Sequence, residues 1–226
     1  MEWSPFFISI KTAFLATVFT FFLGIYAARY VMKTRKLKGL LDGIFTLPMV
    51  LPPTVVGFFL LILFGNYGIF GKLLNKMNFD IVFTWQATVI SATIVSFPLM
   101  YRTALGAFEQ VDTELIYAAR TLGVSERRIF WKILIPVSRP GIIAGIILSF
   151  ARAVGEFGAT IMIAGNIPGR TQTMSIAIYT AVQGGNRELA FRWAVIIVAI
   201  SLVMMILLNA WSNFYLNSEV FGGVKK

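Results

Sequence analysis

The chain has 226 residues, 58% of them hydrophobic and only 13% charged, with a mean hydropathy of +0.79. A soluble domain of this size does not carry so much apolar surface, so the chain is an integral membrane protein. Its net charge of +10 would suggest nucleic acid in a soluble protein, but here the bases gather at the ends of apolar runs and no nucleic-acid partner is expected. With no histidine and no cysteine, metal sites, disulfides and Ser-His chemistry are not expected, and neither a catalytic nor a metal-binding set is assigned.

Phe6 to Val31 is the first apolar run, interrupted near its start by Lys11. It is too long for a signal peptide and lacks a small-residue cleavage site, so it reads as a retained span. Arg29, Lys33, Arg35, Lys36 and Lys38 follow at once and mark the inner side by the positive-inside rule, which puts the N-terminus outside. The second span is expected over 40–64, and it contains Pro48, Pro52, Pro53 and Gly57 within a run of membrane length, ~20 residues. Prolines remove backbone donors and clash with the preceding turn, so this helix must be kinked or locally unwound. Two readings fit: a packing kink without a transport role, or a broken helix facing a polar path with Thr46 and Thr54 as hydroxyl donors. Gly65 to Asp80 reads as a short outer loop, whose Gly71-Lys72 lacks the surroundings of a phosphate-binding loop.

The third span is expected over 81–101, with Ser96-Phe97-Pro98 near its inner end and Arg102 as an anchor. Residues 112–136 then form the one long polar interruption, and their spacing predicts two short amphipathic helices. In the first, Leu115, Ala118, Ala119 and Leu122 share a face, Glu114 lies one turn before Tyr117 and Ala118, and Gly123 can supply a left-handed C-terminal cap. Ser125 can cap the second, where Ile129, Phe130, Ile133 and Leu134 make a stripe opposite Glu126, Arg127, Arg128 and Lys132, and Pro136 ends the run. Amphipathicity alone fits either a solvated connection or a docking knob.

Pro140 to Ala164 reads as the fourth span, with Gly141 and Gly145 spaced for close helix packing. Arg152 and Glu156 fall four residues apart on one helix face and can pair. Such a pair inside a membrane can fix helix orientation, form part of a functional site, or lend the field of Arg152 to a passing anion. Asn166 to Arg192 is a polar outer segment in which Met174 to Gln183 can form one interfacial helix; the last span is expected over 193–215, followed by a tail ending in Lys225-Lys226. This gives five spans in a single domain, 1–226, with the C-terminus inside. Thirteen of the twenty bases lie on the inner side of that topology.

Tyr117-Ala118-Ala119, three residues, Gly123, nine residues, then Ile133-Leu134-Ile135-Pro136 resembles the E-A-A-x3-G-x9-I-x-L-P loop of ABC importer permeases. Two positions depart: Tyr117 stands where that family usually has Glu, and Ile135 where it has Leu. LPMVLPPTVVG, SFPLMYR, FARAVGEFGATI and NIPGRTQTMSIAIYT extend the likeness over most of 40–183 and look like the molybdate branch, although L-P-x-x-x-P-P and G-E-F-G-A also occur in sulfate permeases. The resemblance implies an all-α integral membrane fold of the type I importer permease architecture, in a prokaryotic inner or plasma membrane. It further implies a homodimer enclosing an oxyanion path for molybdate and tungstate, an extracytoplasmic molybdate-binding protein, and two ABC ATPase subunits on the cytoplasmic side that bind ATP and Mg. This chain would carry no cofactor and would not be an enzyme.

On the same footing, Tyr117, Ala118, Ala119, Arg120, Gly123, Ile133 and Pro136 are the expected ATPase-coupling residues. Pro48, Pro52, Pro53, Thr54, Gly57, Ser96, Pro98, Arg152, Gly155, Glu156, Gly158 and Thr160 are the expected pathway or gate positions. A sulfate or thiosulfate permease is the nearest alternative. A secondary transporter fits poorly with five spans and needs no ATPase-docking loop, and a membrane scaffold protein is the remaining class.

Overall fold

A computed structural model describes residues 2–34 and 36–222, with 211–222 as backbone only. Arg35 of the first basic cluster and Lys225-Lys226 of the tail lie outside the described residues. The regular elements of the described residues are all helices, in the order α1 (Ser4–Lys33), α2 (Lys38–Val50), α3 (Pro53–Phe64), α4 (Ile69–Asn75), α5 (Trp85–Glu109), α6 (Thr113–Thr121) and α7 (Glu126–Ile129). A wider π turn, Phe130–Leu134, continues α7 into α8 (Ile135–Val137), and α9 (Arg139–Val154), α10 (Gly158–Ala164), α11 (Met174–Gln183) and α12 (Arg187–Gly222) complete the chain.

Among the described residues, α1, α5 and the stretch Arg187–Ala210 of α12 are long and apolar enough to cross a membrane. Two further candidates are bent: α2 meets α3 at 108°, and the rod Glu126–Val137 meets α9 at 72°. Counting each bent pair as one span gives up to five by length and composition, but the second pair takes in the rod Glu126–Val137, which belongs to the expected loop over 112–136, rather than the end of the expected span 140–164. The centre is α5, which touches α1, α2, α3, α9 and α10. Small residues let the helices close on it: Ala13, Ala16, Ala28, Ala87, Ala92 and Ala104 are fully buried, and a Cβ on Gly24 would fall 2.7 Å from Met100 and 3.1 Å from the Tyr101 backbone.

Hydroxyls supply what apolar packing cannot. Thr12 of α1 shares a 2.8 Å hydrogen bond with Thr88 of α5 and also accepts from the Trp85 indole at 3.0 Å. The Ser9 hydroxyl accepts from the Met174 N–H at 2.8 Å and so ties the start of α11 to α1. At the far end of α5, Asp42 of α2 accepts from Tyr101 at 3.0 Å and pairs with Arg102 at 3.0 Å, while Lys38 pairs with Glu109 at 2.6 Å.

Several expectations need correction. Gly65–Asp80 is not a plain loop but contains α4, in which Ile69, Phe70, Leu73 and Leu74 have helical spacing. The third span is a helix over 85–109 rather than 81–101, because Phe83 at φ 60° turns the chain before Trp85 and nothing ends the helix at Arg102. The helix over Met174–Gln183 forms with those bounds, but Met174, Ile176, Ala177 and Ala181 are buried rather than spread on an interface. The helix that carries the last span, α12, runs past 193–215 at both ends. The fourth is not continuous: α9 stops at Val154 and α10 begins at Gly158.

Candidate functional site

The expected pathway residues gather where α3 and α10 begin. Pro52 and Pro53 cannot continue α2, since each lacks the N–H that a helix interior uses, and Pro53 instead opens α3 as a first-turn residue. Gly57 and Gly158 then bring the two helices into backbone contact. A Cβ on Gly57 would lie 2.7 Å from both Cα and O of Ala159, and one on Gly158 would lie 2.9 Å from Pro53 Cβ and 3.1 Å from Thr54 N. Thr160, the third residue of α10, is buried and shares a 2.9 Å hydrogen bond with Ser91 of α5. Pro53, Thr54, Gly57, Glu156, Gly158 and Thr160 are therefore one junction.

Glu156 lies at the break in the fourth span. Its Oε1 accepts the Ala159 N–H at 2.8 Å and so satisfies a first-turn donor of α10 from the position just before the N-cap residue, Phe157. Arg152 and Glu156 do pair, Nη1 to Oε2 at 2.7 Å, but across the helix end rather than along one helix face. Their side chains differ in burial, with Arg152 32% exposed and Glu156 2%. Oε2 has no directed hydrogen bond, so its contact with Arg152 is one of charge. Gly155 is exposed at the end of α9, between the partly exposed Arg152 and the buried Glu156.

Three pathway candidates do not mark a break. Pro48 and Pro98 lie inside α2 and α5, both of which run on past them. Ser96 donates its hydroxyl to Ala92 O at 2.6 Å within its own helix. Thr46 likewise donates to Asp42 O at 2.7 Å, while Thr54 is exposed.

The loop over 112–136 is built from local signals. Asp112 caps α6 through the Glu114 N–H at 2.8 Å. At the other end Gly123 sits at φ +74°, the Gly123 N–H reaches Arg120 O at 2.9 Å, and the Val124 N–H reaches Ala119 O at 3.0 Å. This is the double-bonded left-handed cap that glycine favours. Ser125 occupies the N-cap position of α7 but makes no side-chain bond there. Pro136 does not end the run. The π turn just before it widens the helix, the rod continues to Val137, and Ser138 makes the corner with its hydroxyl on Ala107 O at 3.2 Å.

The apolar stripes divide between two jobs. Ala119, Ile129, Phe130 and Leu134 are buried; Phe130 and Leu134 join the core formed with α1 and α5, with Phe130 edge-on to Phe108. Leu115, Tyr117, Ala118 and Leu122 are exposed, Leu122 at 82%, and form an unpartnered outer face. Arg120 lies between the two faces, held to Glu126 by bonds of 2.6 and 3.2 Å, which keep the Glu126 carboxyl below the usual carboxylate range. Ile133 and Pro136 are half-buried on the rod, so of the expected coupling residues only Tyr117, Ala118, Arg120 and Gly123 lie fully on the surface.

The hydroxyl bonds Thr12–Thr88 and Ser91–Thr160 escaped the sequence reading. The signal was present: Thr88, Ser91, Thr93 and Ser96 recur along one apolar helix, where hydroxyls need partners that lipid does not provide.

Comparison with known proteins places this architecture. Residues 20–221 match the model of the binding-protein-dependent transport system inner membrane component family. The chain is 41% identical over 213 residues to the molybdenum transport system permease protein of Escherichia coli (strain K12), covering 93% of each. To the sulfate transport system permease protein of the same organism it is 33% identical over 204 residues, 89% of this chain and 73% of that one. Its fold matches a chain of the inward-facing MetNI methionine ABC transporter at a TM-score of 0.71 and 16% identity, over 92% and 93% of the two chains. The chain belongs to the family of binding-protein-dependent transport system inner membrane components, the permease subunits of ABC importers.

Proposed function

We propose that this chain is the permease subunit of an ATP-driven importer of molybdate, and of tungstate with it. The observation that carries the reading is its likeness to a molybdenum permease, which is higher and covers more of that protein than the likeness to a sulfate permease. Two copies would enclose the path, and two ATPase subunits, which bind ATP and Mg, would engage the exposed face of α6 on the cytoplasmic side. An extracytoplasmic binding protein would deliver the oxyanion. The N-terminus would lie outside and the C-terminus inside, as the inner-side bias of the bases favours.

The chemistry of the junction suits a conduit better than a store. A dianion that must be released needs hydroxyls and oriented N–H groups, because a strong fixed site would slow its exit. Arg152, the one base at this junction, is neutralised by Glu156, so it attracts without trapping. ATP-driven closure of the ATPase pair would pull on the loop, and the rod would carry that movement through its 72° corner into α9 and the break at 155–157.

The test is uptake of labelled molybdate into vesicles carrying this chain with its ATPase and binding protein. ATP-dependent uptake that excess tungstate blocks and sulfate does not is the expected result. Equal competition by sulfate would move the assignment to the sulfate branch, and absence of ATP-dependent uptake by the assembled importer would overturn it.

A further inference from the structure

Behind the exposed face of α6, between that helix, the rod and the last turns of α1, lies a cleft of about 440 Å³. Its floor is apolar, made by Met32, Ile116, Ile129 and Phe130, and its walls carry three bases, Arg29 and Lys33 from α1 and Arg120 from α6. The acid in it, Glu126, is already held by Arg120 through two hydrogen bonds. The guanidinium carbon of Arg29 lies over the Phe130 ring, 3.9 Å from its centre. Among the described residues neither Arg29 nor Lys33 makes an ion pair or a side-chain hydrogen bond. Their charge reaches Glu126 across the cleft and adds to that of Arg120 in holding its carboxyl low. The cleft thus has two uncommitted cations over an apolar floor.

Its depth in the membrane says what would come to it. A helix of 30 residues is about 45 Å long, and a hydrocarbon core is about 30 Å thick, so the last turns of α1 emerge at the level of the lipid headgroups. Tyr26 and Tyr30, on the flank of α1 next to these bases, are 56% and 60% exposed. Amphipathic rings of this kind settle at that level. We propose that this cleft binds the phosphate of an anionic phospholipid, with Arg29 and Lys33 as its donors and Arg120 closing it from the loop side. The loop that moves with the ATPase would then share a wall with a lipid site. This inference is independent of which oxyanion is carried.

The test places the full chain with its ATPase in nanodiscs of phosphatidylcholine containing a minor fraction of phosphatidylglycerol, and counts lipids retained after extraction by native mass spectrometry. Phosphatidylglycerol should be retained above its share of the bilayer. Lys33→Gln, at an exposed position that makes no ion pair or side-chain hydrogen bond among the described residues, should lower that enrichment about five-fold, which is what one base at a membrane surface contributes. Arg29→Gln with Lys33→Gln should abolish it. Retention at the bilayer ratio in the wild type, or enrichment unchanged in both variants, would overturn the proposal. So would inorganic phosphate binding to the lipid-free complex, lost in Lys33→Gln without any lipid preference, since the cleft would then take a free anion. A Lys33→Gln complex that loses its ATPase while lipid retention is unaltered would assign the cleft to a protein contact instead.

Discussion

The α3–α10 junction and the loop over 112–136 are both places where helices break, but different forces hold them. At the junction two glycines set backbone against backbone, and a nearly buried carboxylate serves at once as acceptor for a first-turn N–H and as counter-ion. In the loop the ends are set by Asp112 and Gly123, both exposed, and the cross-link is a surface ion pair. A Cβ on Gly123 would meet nothing within 4 Å, whereas one on Gly57 would meet main chain. The first region is specified by packing and tolerates little change. The second is specified by local conformation and keeps its outer face free.

That contrast can be broken from its stronger side first. Arg152→Gln removes the counter-ion of Glu156, which is 2% exposed, and breaking a buried ion pair costs about 3–5 kcal/mol. Glu156→Gln is expected to be milder, because the amide oxygen can still accept from Ala159 and Arg152 can turn toward its exposed side. Thermal denaturation of the two permeases should show that order, and equal losses would mean the burial asymmetry carries no energy. Gly57→Val overpacks the contact with Ala159, at about 1–3 kcal/mol, and should lower the Tm of the assembled permease; a neutral result would show that α3 and α10 are not in backbone contact.

The loop should respond less. Gly123→Ala keeps the space but strains the left-handed cap, at about 1 kcal/mol, and should loosen α6 without lowering the stability of the spans, read as faster hydrogen exchange over 113–124 alone. Glu126→Gln should have the smallest effect, and a pH-dependent one. Because Arg120 depresses the Glu126 carboxyl, the pair contributes above the ordinary carboxylate value, about 4.3, and loses its contribution as pH falls through the depressed value. Wild type and variant should therefore differ slightly at pH 7 and converge in acid; divergence in acid would reverse the sign of that coupling.

The sequence was most legible where a single residue decides the backbone. The Pro52-Pro53 break, the Gly123 cap and the bounds of α11 follow from local chemistry. The break at 155–157 was not legible, because FARAVGEFGAT has helical spacing throughout and no proline. It coincides with the bond from the Ala159 N–H to Glu156 and with the close approach of α10 to α3, the second of which is a tertiary fact. Pro48 and Pro98 mislead in the opposite direction: each removes one donor, yet the flanking turns hold the helix together. The junction could be named in part from its glycines, but which glycines touch is a tertiary fact. The division of the loop stripes between buried and exposed faces is one too.

The most direct test of the account measures ATP hydrolysis and molybdate uptake side by side in the reconstituted importer carrying Gly158→Ala or Gly123→Asp. Gly158→Ala presses a methyl group on Pro53 and Thr54 at the junction and should reduce uptake while the bound ATPase still hydrolyses. Gly123→Asp puts a charge on the exposed loop and should reduce both together. Uptake intact in the first, or hydrolysis and uptake both intact in the second, would contradict the division of labour between path and coupling surface.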